Sequence, residues 1–428
     1  MKRSLTFSKL VILVLILSKT TSVVAAESPS SDVPPITMGV DMFSRYEFRH
    51  NYTLNPGFDA ASNGSDMFTF RSRFLLNTAP VSLGENLSVM ARVAPQASGI
   101  WNIGGDELTD PTLGLHEGVI VVNGQGYRFD VGRFEMSYGD ELVIGSVGWH
   151  HTGRAFDGVR FHANLDDNGA WLDGFVSVLK EGFVEGPVDE SIGAGDLYFM
   201  GIYAGLGKFA GPDFDLDAYA LFRLAPETDE DPVVRGGTTE LTVGLRSKGP
   251  IGDVVDYRVE AGVQFGKRGL EGVADNVDVL AFQGDAEFGF SFLDDKALRV
   301  ALHGFFASGD DPETADKAEG WNQLFPTAHK WLGTADVIGP RTNVAGGAAH
   351  VSWKLHPNVV FLLDGHGFFR PEKVGGADGY WGTEVDAGLL FKPGKALTLR
   401  LTYDVFLPAE DFDDDVMHFG ELELRTKF

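Results

Sequence analysis

HFGELELRTKF, residues 418–428, alternates without a break: Leu422, Leu424, Thr426 and Phe428 fall on one face, and Glu421, Glu423, Arg425 and Lys427 on the other. Side chains of a strand point to opposite faces in turn, so this period of two predicts an amphipathic β-strand. Local alternation leaves two settings open. In a soluble sandwich the apolar face is core and the polar face meets water. In a transmembrane barrel the apolar face meets lipid and the polar face lines a lumen.

The other end of the chain bears on that choice. Lys2 and Arg3, the apolar run Leu10–Leu17 and the small residues Ala25 and Ala26 make up a secretory signal, residues 1–26, predicted to be cleaved near Ala26. The run is far shorter than the ~18 to 20 apolar residues of a spanning helix, and no later stretch approaches that length, so membrane contact has to come from strands. An exported chain ending in an amphipathic strand with a terminal aromatic fits an outer-membrane barrel delivered to its assembly machinery through Phe428. Residues 27–38 are then a short periplasmic segment, and 39–428 the barrel.

Composition agrees with export. Cysteine is absent, as suits a chain that crosses an oxidising compartment without disulfides. Cleavage removes four bases and no acid, taking the formal charge from −26 to about −30; nucleic acid is excluded as a partner, because binding phosphates needs a basic surface. The 33 Phe and 54 Gly exceed what a helical enzyme of 428 residues uses. Aromatic girdles and tight turns consume both.

Period-2 alternation predicts about eighteen strands. Val40, Met42, Tyr46 and Phe48 share a face, as do Phe68, Phe70, Phe74 and Leu76, with Arg71, Arg73, Arg92, Arg258, Asp285, His303, Asp364 and Arg400 on the opposite, polar faces. Connections alternate between short turns such as NGQG, LDDK, LHPN and KPGK and longer segments near residues 50–66, 95–114, 133–153, 181–196, 225–238, 267–278, 309–341, 371–382 and 408–417. The expected fold is all-β: a transmembrane antiparallel barrel with short periplasmic turns and long extracellular loops.

Two stretches, GRFEMSYGDELVIGSVGWHHTGRAFDGVRF (132–161) and ASGDDPETADKAEGWNQLFPTAHKWLGTADVIG (307–339), resemble the alginate-export family of outer-membrane porins. Arg133, Tyr138, Gly139, Asp140, Trp149, Arg154, Asp157 and Arg160 match its first motif, and Phe325, Pro326, His329, Gly333 and Asp336 its second. The resemblance implies an eighteen-stranded barrel that passes an anionic polysaccharide along an electropositive lumen. Leu142 and Val143 depart from it, standing where the family commonly has a basic residue.

Arg71, Arg73, Arg92, Arg154, Arg160, Arg299, Arg370 and Arg400 are the candidate lining of that path, because guanidinium forks bind carboxylates bidentately. The competing reading is structural: Asp41, Glu47, Asp130, Glu260 and Asp404 fall on the same faces, and charge pairs also stiffen a barrel interior. Acids concentrate in loops, as ETDED (227–231) and EDFDDD (410–415), and read as a solvated outer face. No HExxH, GxSxG or phosphate-loop motif appears, so no catalytic residue, cofactor or metal site is expected. The expected function is a passive channel for an anionic polysaccharide or a related polar saccharide; a general small-solute porin is the alternative. Outer-membrane lipid and lipopolysaccharide are the expected surroundings, and a monomer the expected state. The segment 309–341 is expected to act as a lid, because Trp321, Leu324, Phe325 and Trp331 are too apolar for a freely solvated loop. Epitope tags inserted near Asp311 and Asp413 should be labelled on intact cells; labelling only after the outer membrane is permeabilised would reverse the topology.

Overall fold

Lipid offers a backbone no hydrogen bonds, so a sheet that spans it must close on itself. The computed structural model, which describes residues 35–51, 66–103, 108–179, 197–207, 213–227, 236–270, 275–314, 316–373, 379–410 and 415–428, shows that closure. The signal segment, most of 27–38, and much of the acidic stretches 227–231 and 410–415 lie outside the described residues.

Among the described residues eighteen strands form the wall: β1 (Ile36–His50), β2 (Asp66–Thr78), β3 (Ser88–Ile103), β4 (Leu108–Asn123), β5 (Tyr127–Phe134), β6 (Phe156–Asn164), β7 (Ala170–Leu179), β8 (Leu197–Leu206), β9 (Asp215–Ala225), β10 (Thr238–Ile251), β11 (Val255–Gly269), β12 (Asn276–Phe292), β13 (Leu298–Ala307), β14 (Val344–His356), β15 (Val359–Phe369), β16 (Tyr380–Phe391), β17 (Leu397–Pro408) and β18 (Met417–Lys427). Each pairs antiparallel with its sequence neighbours, and β1 pairs with β18 from Asp41 opposite Lys427 to His50 opposite His418. Phe428 completes the seam: its N–H donates to the Val40 carbonyl at 2.9 Å, and the Val40 N–H donates back at 3.2 Å.

The faces are inverted relative to a soluble protein. In β18, Leu422 and Leu424 are 52% and 43% exposed, whereas Glu421 and Glu423 are 2% and 6% exposed. The same holds around the wall, with Ile120, Ile202, Leu245, Leu280, Leu302 and Leu401 outward and Arg45, Arg71, Glu240, Arg246, Glu260 and Asp285 inward. That is the signature of a lipid-facing exterior.

Two expectations need correction. Most of 95–114 is strand rather than loop, because β3 and β4 stay paired as far as Trp101 opposite Leu108. β11 and β12 likewise extend to Gly269 opposite Asn276, so most of 267–270 and 276–278 is strand. Nor is the inner face simply polar. Phe175, Phe199, Tyr203, Tyr219 and Leu221 point inward on one side, and Phe305, Phe368, Phe406 and Phe419 on the other, each set packed in an apolar core inside the barrel.

Leu302, 62% exposed at the middle of β13, tests the inversion against its inward neighbour Ala301. Leu302→Arg should lower stability in lipid vesicles by about 2–4 kcal/mol, the cost of a cation near the bilayer midplane, measured by denaturant titration of the reconstituted barrel. A change within about 0.5 kcal/mol, ordinary for a water-exposed site, would contradict the lipid-facing assignment.

Candidate functional site

The inward apolar residues have partners because two connections fold back into the lumen. Residues 135–155 follow β5, and residues 308–343 follow β13. They meet as a short parallel pairing of Ile144 with Phe325. The Gly145 N–H donates to the Phe325 carbonyl at 2.8 Å, Phe325 N–H to Val143 at 3.0 Å, and Thr327 N–H to Glu141 at 3.0 Å. Leu142, Val143, Ile144, Trp321, Trp331, Leu332, Val337 and Ile338 are buried against the inner wall. Lys317–Ala318 also adds to the end of β12, where that strand overshoots β13. The apolar content of 309–341 thus has its explanation in packing. The part played by 135–155 had no comparable sequence signal, since its apolar run Leu142–Ile144 is only three residues long.

The wall grips the first segment mainly through cations on its carbonyls. Arg45 Nη1 donates to the Trp149 carbonyl at 2.9 Å, Arg71 Nη1 to Gly148 and His150 at 3.3 and 3.0 Å, and Arg425 Nη2 to Gly148 at 2.6 Å. These guanidinium groups also gather around the ring of Phe43, at 4.7–5.3 Å. Gln96 Nε2 adds a bond to the Thr152 carbonyl at 2.9 Å. Arg154, itself in the segment, donates to the carbonyls of Gly145 and Pro326 at 3.3 and 2.9 Å and so ties the two segments together. Burial lowers its guanidinium to about 10. Charged hydrogen bonds of this kind contribute about 1.5–3 kcal/mol each.

The motif residues cluster in the same place. Tyr138 donates to Asp173 at 2.7 Å, and Trp149 stacks on His329 at 3.9 Å while donating to Glu421 at 3.2 Å. His329 in turn bonds Asp336 at 2.8 Å. Burial pushes the Asp140 carboxyl up, but Arg246, donating at 2.7 Å, outweighs it and holds that group below the usual aspartate range. Gly139 has φ +56°, and a Cβ there would sit 2.7 Å from the Arg246 side chain. Backbone strain is stored here too: Glu141, Val147, Leu324 and Asp336 all have φ between 51° and 68°, least comfortable for the β-branched Val147. Arg133 and Asp157 are the exceptions: they face outward and pair through two bonds, at 2.9 and 2.6 Å.

The candidate path arginines therefore divide. Arg71 and Arg154 hold backbone. Arg73 bonds Gln96 and Glu135, both at 2.9 Å. Arg92, Arg160 and Arg299 remain on the inner wall, paired with Glu117, with Asp130, and with Asp256 and Glu287. Arg370 lies 5.4 Å over Trp381, and Arg400 stands opposite Glu423 in register. Gln96 and Gln264, absent from the candidate set, also bind the inward segments, Gln264 exchanging two bonds with Asn322 at 2.7 and 2.8 Å, and Arg341 of the second segment donates to the wall residue Gln283 at 3.2 Å. Isolated glutamines on a predicted polar face carry no sequence signal for such a role.

A family model described as alginate export matches residues 120–377, a span that holds both inward segments. The chain belongs to the alginate export family. No curated protein matches it by sequence. Among solved structures it is similar to Pseudomonas aeruginosa OccK2 (OpdF) in complex with glucuronate, at TM-score 0.64 and 12% identity over 92% of this chain and 98% of that one. OpdK of the same organism, solved with vanillate, gives 0.63 and 12% over 91% and 98%, and Acinetobacter baumannii OccAB3 gives 0.61 and 12% over 92% and 99%. At such identity the likeness shows the fold, that of outer-membrane porins. Family and fold are those of passive channels, located in the outer membrane.

In this member of the alginate export family, the contact between the two segments leaves no room for a side chain at Gly145, where a Cβ would collide with Thr327 Oγ1. Gly145→Val should part the segments and raise single-channel conductance in planar bilayers several-fold; conductance equal to wild type would show that they do not constrict the pore.

Proposed function

We propose that the barrel is a passive channel for anionic or polar saccharides and that uronate-type carboxylates are the groups its lumen recognises. Membership of the alginate export family, over a region that contains both inward segments, carries this reading. Physical support comes from Arg92 and Arg160, each paired with one carboxylate and still partly exposed. A guanidinium group has five N–H donors, so one bound carboxylate leaves donors for a second. A mobile uronate could then pass from one group to the next. The glucuronate found with OccK2 (OpdF) is such a carboxylate, on the same fold.

A small-solute channel is the second reading, favoured by the packing of 135–155 and 308–343 across the lumen. On that reading single sugars or organic acids pass beside the segments, whereas a polymer would have to displace them. On either reading we place the protein as a monomer in outer-membrane lipid and lipopolysaccharide, assembled through Phe428.

Selectivity follows the field at the narrowest point, where a low-dielectric wall focuses it. Loop carboxylates farther off than a Debye length of about 8 Å at physiological salt are largely screened. In a salt gradient the wild type should show a reversal potential of anion preference. A variant with Arg92, Arg160, Arg299 and Arg400 changed to Gln should lose that preference. Cation selectivity in the wild type would defeat the uronate reading and leave the small-solute channel.

A further inference from the structure

Three neighbouring strands place Glu287 (β12), His303 (β13) and His350 (β14) on one patch of the inner wall, with a ligand atom from each within 4.8 Å of the others. Glu287 and His303 are direct partners in the register, and His350 stands opposite Ala301, two residues along. Nothing in the residue order groups them, because they are spread over 64 positions.

The hydrogen bonds fix how the two rings present themselves. His303 Nε2 lies 2.9 Å from an Asp285 oxygen, and His350 Nδ1 lies 2.7 Å from an Asp364 oxygen. A carboxylate only accepts, so each of those nitrogens carries the proton. The other nitrogens, His303 Nδ1 and His350 Nε2, are then bare lone pairs, and they face each other at 3.4 Å. Two neutral imidazoles cannot hydrogen-bond in that arrangement, so the contact calls for a cation between the rings: a shared proton, with one ring an imidazolium, or a metal ion. Ligands held at 2.0–2.1 Å by a tetrahedral zinc ion are about 3.3–3.4 Å apart. Carboxylates behind metal-bound histidines are the usual outer partners of such sites, since they set the ring orientation and the tautomer.

We infer that Glu287, His303 and His350 form a divalent transition-metal site of the zinc type, with a fourth position open to the lumen. Two imidazoles and one carboxylate suit zinc and its first-row neighbours and disfavour magnesium and calcium, which take oxygen ligands. Asp285 is pinned by Arg258 at 2.5 Å and Arg341 at 2.8 Å, so the support behind His303 is rigid. Arg299 donates to one Glu287 oxygen at 2.7 Å, and the second oxygen remains for the ion. Trp331 of the inward segment sits edge-on to His303, with ring centroids 6.4 Å apart, so an ion here would lie beside the constriction.

The test uses the full barrel in detergent, stripped with a chelator and titrated with zinc chloride by calorimetry and with cobalt chloride by absorption. Wild type should bind one equivalent of zinc and give the intense visible bands of tetrahedral cobalt. His350→Gln should abolish both signals. Asp364→Asn, which touches no ion, should weaken zinc binding about 10–100-fold. Folding is checked for each variant by circular dichroism, and Asp364→Asn decides the matter alone if His350→Gln does not fold. Zinc binding that is equal in wild type and variants would put the ion on outlying carboxylates and overturn the inference, as would cobalt spectra without tetrahedral bands.

Discussion

Closure of the sheet is the constraint on which the rest of this molecule depends. Ten register pairs join the first and last strands, from Asp41 with Lys427 to His50 with His418. Without that seam two edges would expose unpaired N–H and C=O groups to hydrocarbon, at several kcal/mol each. Once the ring is closed, one face of every strand has only lipid to meet and the other only the interior. The inversion of Leu422 and Glu421 follows from that geometry, not from any property of the two residues alone.

A ring of eighteen strands is wide enough to leave an aqueous channel, and this chain fills part of that space with its own backbone. The two inward segments bring carbonyls and amides that strands would have satisfied, and the wall supplies donors in their place. Arg45, Arg71 and Arg425 act there as posts for the 148–150 carbonyls. Positive charge in the lumen has two roles, therefore. Part of it holds the constriction, and part, at Arg92, Arg160 and Arg299, stays on the wall with a carboxylate at its side. The strained residues Val147 and Leu324 sit where the two segments touch, and a conformation that costs free energy persists only where surrounding contacts over-determine it. Packing of Phe305, Phe368 and Trp331 on one side and Phe199, Tyr203 and Leu324 on the other provides that determination.

Much of the barrel could be read from residue order. Alternation in HFGELELRTKF, the step of Val40, Met42, Tyr46 and Phe48, and turns such as LDDK and KPGK are local signals, and antiparallel neighbours pair locally. The inward aromatic residues broke the rule that lumenal positions are polar, because the rule presumes water inside. Where backbone fills the lumen, Phe368 and Phe406 are core residues on the inner face.

Sequence by itself determined the strands, their faces and the fact of a barrel, since period, turn chemistry and the absence of a spanning helix act over a few residues at a time. It also marked both motif stretches, including Tyr138, Trp149 and His329, without assigning what they touch. Tertiary structure alone decided that 135–155 pairs with 308–343, that Arg71 and Arg154 bind backbone, that Arg133 faces outward, and that His303 and His350 turn ring nitrogens toward each other. Each of these depends on the register between strands far apart in the chain and on the curvature that closure imposes. Neither quantity is carried by any local run of residues.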